Sequence, residues 1–240
     1  MSTGTATPTT TSKRHAAFWT ELEAKIAKYD LLCHPYYQAW SAGELTQRDL
    51  REYAADYYHH VAAFPTYLSA LHSRLEDGAL RRAVLRNLME EEIEGPAHSD
   101  LWMNFAEGMG ADREVVRAGR PVKELEELMI RFRNIAASGT FPAAMAAFYV
   151  YESQVPRVAK EKARGLKEMY GADSKTCGYF TLHQTADVLH SQVWREQLDL
   201  LLDAEPEAGA EALIAAEAAA QALWKALDGI ERKRMAAKLN

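Results

Sequence analysis

Apolar positions recur at three- and four-residue spacing along nearly the whole chain, in long blocks bounded by glycine, proline and small capping residues. Period-two alternation, the mark of a half-buried strand, is nearly absent, so the pattern predicts an all-α fold. The blocks predict helices at roughly 15–29, 46–75, 77–94, 97–109, 122–138, 142–170, 174–203 and 208–232. Pro65 removes a ladder hydrogen bond inside the second block and predicts a kink there, while Gly95-Pro96 ends or sharply bends the third. Short polar joints favour an antiparallel bundle. The Ala-rich last block, EALIAAEAAAQALWKAL, offers an apolar face for packing on the bundle or on another subunit.

A chain of 240 residues without a low-complexity linker reads as one domain, over 14–240. The Ser/Thr-rich opening, MSTGTATPTTTS, lacks the apolar stretch of a secretory signal, and 1–13 are expected to form a disordered tail. Acidic residues outnumber basic ones by 34 to 28, which argues against nucleic acid or an anionic membrane as partner. No run of about 18 apolar residues occurs, so no membrane span is expected. Cys33 and Cys177 lie far apart, outside any CxxC spacing, and read as free thiols in a reducing cytoplasm.

Candidate chemistry begins in TLHQTADVLHSQVWREQ, where His183, Asp187 and His190 stand at i, i+4 and i+7. On one continuous helix all three project from a single stripe. Two imidazoles and a carboxylate suit a divalent transition metal, although a hydrogen-bonded polar stripe has the same spacing. A second cluster, NLMEEEIEGPAHSDLW, sets Glu90, Glu91, Glu92 and Glu94 before His98 across the Gly-Pro break. Such a run is ordinarily a solvated face, but the break can swing His98 back toward a carboxylate, and Glu91 is the preferred partner. The third element is Glu152, which follows the small and aromatic run from Ala143 to Tyr151. A glutamate there is costly to bury without a cation, an arginine or other donors. Pro156 cannot donate to the Glu152 carbonyl, so an irregular helix is expected beside it. Together the segments supply three imidazoles and three carboxylates, the stock from which helical bundles build carboxylate-bridged dinuclear sites.

The stretches HPYYQAWSAGELT, YAADYYHHVAAFPTYLSALHSR, NLMEEEIEGPAHSDLW, YVYESQVPRVAKEKARGL and YFTLHQTADVLH resemble the CADD-like branch of the haem-oxygenase-like dimetal oxidases, related to the TenA/PqqC-like fold. The likeness runs from about Phe18 to Leu201. It implies a compact bundle of about seven helices, with Glu91, His98, Glu152, His183, Asp187 and His190 as ligands of two divalent ions, Fe/Fe or Fe/Mn. It implies O2 as co-substrate, an external reductant, and a p-aminobenzoate synthase of folate metabolism in which the protein's own tyrosine is the ring source. On that resemblance Tyr37 is the sacrificed tyrosine and Lys162 the amine donor, with Tyr151 and Tyr179 as radical-relay or positioning residues. Tyr179 precedes His183 by one helical turn, and Lys162 shares a helix side with Tyr151.

The competing readings are a multiple-turnover dimetal oxygenase acting on an external small molecule, and a haem-binding protein using His34, His59 or His60. Thiaminase-type chemistry needs an activated cysteine, and neither Cys33 nor Cys177 has such a context. A homodimer through the bundle surface is expected.

Overall fold

The computed structural model describes residues 15–239, and the expected N-terminal tail lies outside them. Among these the chain forms eleven α-helices and no strand: α1 Ala16–Lys28, α2 Pro35–Ser41, α3 Gln47–His72, α4 Ala79–Glu92, α5 His98–Gly108, α6 Arg113–Ala118, α7 Lys123–Ser138, α8 Phe141–Glu168, α9 Gly178–His183, α10 Ala186–Ala204 and α11 Gly209–Lys238. Short 3-10 turns cover Leu31–Cys33 and Pro206–Ala208. No helix of the described residues is long and apolar enough to cross a membrane.

Helix α8 is the axis of the bundle. Every residue from Pro142 to Glu152 is buried, so it is enclosed on all sides rather than along one stripe. It packs on α10 and α11, while α11 also covers α1 and α7. Helix α3 runs against α4, α5 and α7, and α9 bridges α5 and α8. The Ala-rich face of α11 does settle on the bundle, burying Ala212, Ala216, Ala219 and Ala220, small side chains that allow close helix approach.

Local chemistry fixes several ends. Thr46 and Asp49 close a reciprocal capping box on α3, their side chains accepting each other's backbone N–H at 3.1 and 2.8 Å. Helix α2 starts on a His34 cap, whose Nδ1 accepts from the Tyr36 N–H, with Pro35 in the first turn. Gly95, at φ +102°, adopts a conformation closed to most L side chains and turns the chain from α4 into α5.

Two expectations about elements are corrected. The block 174–203 is not one helix: it divides after His183, where the Thr185 hydroxyl bonds the Leu182 carbonyl and the helix restarts at Ala186. His183, Asp187 and His190 are therefore divided between two helices. Helices α2 and α6 are short additions that periodicity did not reveal. Prolines 65 and 156 lie inside α3 and α8, and both helices continue through them.

Candidate metal centre

Five helices each bring at least one of the six expected ligands to the same buried region. Glu91 stands in the last turn of α4 and His98 opens α5. Glu152 lies mid-way along α8, His183 ends α9, and Asp187 and His190 occupy the first turns of α10. They fall into two groups of three: Glu91, His98 and His183, and Glu152, Asp187 and His190. Within each group, one potential donor atom per residue lies within 4.8 Å of the others, and all six side chains are buried. The break before α10 is what allows His183 to enter one group while Asp187 and His190 enter the other.

Among the six ligands, two buried atoms lack a hydrogen-bond partner, one in each group. His98 Nδ1 lies 2.9 Å from Glu91 Oε2 but outside hydrogen-bonding geometry, and Asp187 Oδ2 has no donor. Buried polar atoms are nearly always satisfied, so a pair of exceptions, both facing a cluster of imidazoles and carboxylates, fits divalent cations. A cavity of about 10 Å³ lies between Glu91, Glu152, His183 and Asp187, closed by Val61, Phe64, Tyr151 and Tyr179. It is the size of one water-sized ligand.

The remaining donors and acceptors hold the ligands in place. His183 Nδ1–H donates to the Tyr179 carbonyl at 2.8 Å, which leaves Nε2 as the free lone pair. The Tyr179 ring stacks on the imidazole with centroids 3.9 Å apart. Glu152 accepts from Asn87 Nδ2 at 3.0 Å and from the Trp194 indole N–H. His190 Nδ1 meets Asp187 Oδ1 at 3.2 Å, while Nε2 meets Glu90 Oε2 at 2.7 Å. Burial pushes the Glu152 carboxyl up and the His183 imidazole down. Burial also opposes charge on His190, but its contacts with Asp187, Glu152 and Glu90 prevail and raise it to about 10. Asn87, Trp194 and Glu90 escaped the sequence reading as partners. Spacing carried a signal for two of them, since Asn87 stands one turn before Glu91 on α4 and Trp194 one turn after His190 on α10.

A second buried cluster adjoins the first. Lys162 Nζ donates to the Tyr37 hydroxyl at 2.8 Å and also to that of Tyr53, and the two hydroxyls are 3.0 Å apart. With no carboxylate partner, burial lowers the Lys162 amine well below the usual lysine range. A cavity of about 30 Å³ beside Tyr37 and Lys162 is lined further by Tyr57, Trp102, Tyr151 and Tyr179. Tyr151 and Tyr179 thus wall both cavities, and Trp102 packs edge-on against Tyr179 with centroids 4.8 Å apart. The four residues singled out by resemblance are therefore gathered beside the six ligands. Tyr53, which touches both Tyr37 and Lys162, had no mark distinguishing it among eleven tyrosines.

None of the histidines of the haem reading, His34, His59 and His60, belongs to the two ligand groups. His34 caps α2 and meets Asp228 at 3.1 Å. His60 is enclosed by the rings of Tyr57, Tyr67, Phe132 and Tyr151. Both cysteines are free; Cys33 is exposed, and burial pushes the Cys177 thiol up, away from the reactive thiolate.

Comparison with known proteins agrees with this geometry. The chain is 40% identical over 188 residues to a 4-aminobenzoate synthase of Chlamydia pneumoniae, covering 78% of this chain and 84% of that one. It is 40% identical over 223 residues to a 4-aminobenzoate synthase of Nitrosomonas europaea, covering 89% and 90%. The crystal structure of a TenA homologue from Pseudomonas syringae superposes with a TM-score of 0.79 at 18% identity, over 92% of this chain and 93% of that one, and shows the shared fold. Residues 51–224 match a haem-oxygenase-like family described as iron-containing redox enzymes, and to that family this chain belongs.

Proposed function

We propose that this chain forms 4-aminobenzoate in an O2-dependent oxidation at a centre of two metal ions, taking the ring from its own Tyr37 and the nitrogen from Lys162. The product is the one named for the relatives. It carries an amino group para to a carboxylate, whereas tyrosine carries a hydroxyl para to a methylene. Conversion therefore replaces the phenol oxygen, lost as water, by the Lys162 nitrogen with cleavage of its Cε–Nζ bond. It also breaks the Cα–Cβ bond of Tyr37 and oxidises the former methylene carbon to a carboxylate, with O2 as oxidant and the external reductant supplying the remaining electrons. The observation that carries the reading is the 2.8 Å contact between Lys162 Nζ and that very hydroxyl, both side chains being buried beside the small cavity.

Glu91, His98 and His183 would hold one ion and Glu152, Asp187 and His190 the other. Two reduced transition metals bound there would supply electrons and open coordination positions for O2. The reading takes iron at one or both positions, manganese being the other occupant, with an external reductant. Val61 and Phe64 keep bulk water from the space between the two groups. Tyr151 and Tyr179, in the wall between that space and the Tyr37 chamber, are placed to relay oxidising equivalents toward Tyr37 or to orient it. Burial disfavours the charged form of Lys162, which favours a nitrogen lone pair for bonding to carbon. The Tyr37 chamber, at about 30 Å³, favours an internal ring over an external substrate. The two free cysteines fit a cytoplasmic site of action.

A ring taken from the chain limits each molecule to one turnover. Protein given Fe(II), with or without Mn(II), a reductant and O2, but no organic substrate, is expected to release at most one equivalent of 4-aminobenzoate. The ring should carry label from tyrosine and the nitrogen label from lysine. Tyr37→Phe should release none, and product from that variant, or more than one equivalent per chain, refutes the reading.

A further inference from the structure

Consecutive glutamates at the end of α4 point to different halves of the centre. Glu91 joins His98 and His183. Glu90 instead reaches α10, where its Oε2 stands 2.7 Å from His190 Nε2. The other nitrogen of that ring, Nδ1, faces Asp187 at 3.2 Å, a member of His190's own group. Glu90 does not belong to that group: its carboxylate lies on the outer side of the imidazole, and its side chain is 41% exposed while that of His190 is 6% exposed.

We infer that Glu90 is a positioning residue of the metal centre: it accepts the Nε2–H of His190 and so fixes the ring with its opposite nitrogen, Nδ1, aimed at the half formed with Glu152 and Asp187. The inference rests on the metal-centre reading above. A metal-bound histidine commonly gives its outer N–H to a carboxylate or carbonyl, which fixes the ring and raises its basicity. Both versions occur in this chain. His183 gives its outer N–H to the backbone carbonyl of Tyr179, whereas His190 gives it to a charged carboxylate. The two halves are therefore chemically unequal, and removal of Glu90 should weaken one of them alone.

Co(II) serves as the probe, since its visible absorption reports coordination and its binding is read without turnover. Metal-free wild type is expected to take up two equivalents. His183→Ala should keep only the half built by Glu152, Asp187 and His190, and His190→Ala only the other. Adding Glu90→Ala to His183→Ala should weaken the remaining Co(II) by about 10- to 100-fold and alter its spectrum. Adding it to His190→Ala should change neither. Glu90→Asp should recover part of the loss, which a general loosening of α4 would not allow. Equal weakening of both halves, or affinity within twofold of the parent in the His183→Ala background, overturns the assignment. Failure of wild type to bind two Co(II) overturns the metal-centre reading itself. Because Glu90 is partly exposed, Glu90→Ala leaves no core cavity, and circular dichroism with a thermal melt verifies that each variant is folded.

Discussion

Burying the Lys162 amine among the rings of Tyr37, Trp40, Tyr53 and Tyr57 costs folding stability, because burial disfavours the charged ammonium that the unfolded chain carries. The sign follows from the direction of the shift. Below the ordinary lysine pKa of 10.5 the unfolded state binds the extra proton, so this group makes stability rise with pH and the deficit grow as pH falls toward the folded value. Lys162→Met should therefore abolish 4-aminobenzoate formation yet stabilise the protein at pH 7 by about 1–3 kcal/mol. Urea melts check this, and the advantage should shrink as the pH approaches 10; a variant less stable than wild type at pH 7 would contradict it. Opposite logic governs the ligands. Glu152 and His190 are both shifted upward in the metal-free centre, so both hold protons that an ion must displace. Metal affinity should rise steadily from pH 6 to pH 8, with protons released into a weakly buffered solution. A flat affinity over that range would be inconsistent with these shifts.

At the scale of elements, two short breaks decide whether the ligands meet. Gly95 turns α4 into α5 at φ +102°, which lets Glu91 and His98 face one another across the reversal. Gly95→Ala should cost about 1–3 kcal/mol through left-handed strain and selectively weaken metal binding by Glu91, His98 and His183. Co(II) titration of that variant in the His190→Ala background reads the effect, and undiminished affinity would show that the reversal tolerates a side chain. The Gly-Pro pair made this turn legible in the sequence. The break at Gln184 and Thr185 was not, because no glycine or proline marks it and the residues around it keep helical periodicity. A threonine hydroxyl bonded to a carbonyl three residues back is a local competitor that hydrophobic spacing does not register. Three of the candidate ligands were thus reached through a single helix that the chain does not form. Helix α2 was missed because it spans only seven residues, too few for a period to show, although its His34 cap and Pro35 were visible. The contact between Lys162 and Tyr37 crosses 125 positions, and only the likeness to a known family, not spacing, singled out either residue.

Across the whole molecule, the ligand groups join helices that are packed very unequally. Helix α8 packs extensively on α10 and α11, whereas α4 touches α5 and α10 little and leans mainly on α3. Helix α8 is buried by apolar packing that requires no ion, whereas α4 and α5 meet at Glu91 and His98, 2.9 Å apart. An ion bound to the folded state alone stabilises by mass action, about 2.7 kcal/mol at a hundredfold excess over its dissociation constant. In a domain of this size that amounts to a rise of about 5–10 °C in melting temperature for each half filled. Co(II) should therefore raise the melting temperature in two increments, EDTA should reverse both, and His183→Ala should retain only one. Tyr37→Phe should keep the full rise, because Tyr37 stands in the adjoining chamber and belongs to neither ligand group. Should Tyr37→Phe instead lose the metal-dependent rise along with the product, its failure to react would reflect a damaged centre, and the ring-donor role would lose its support. A full rise without product separates the oxidising centre from the side chain it consumes, the division that the two adjoining cavities present.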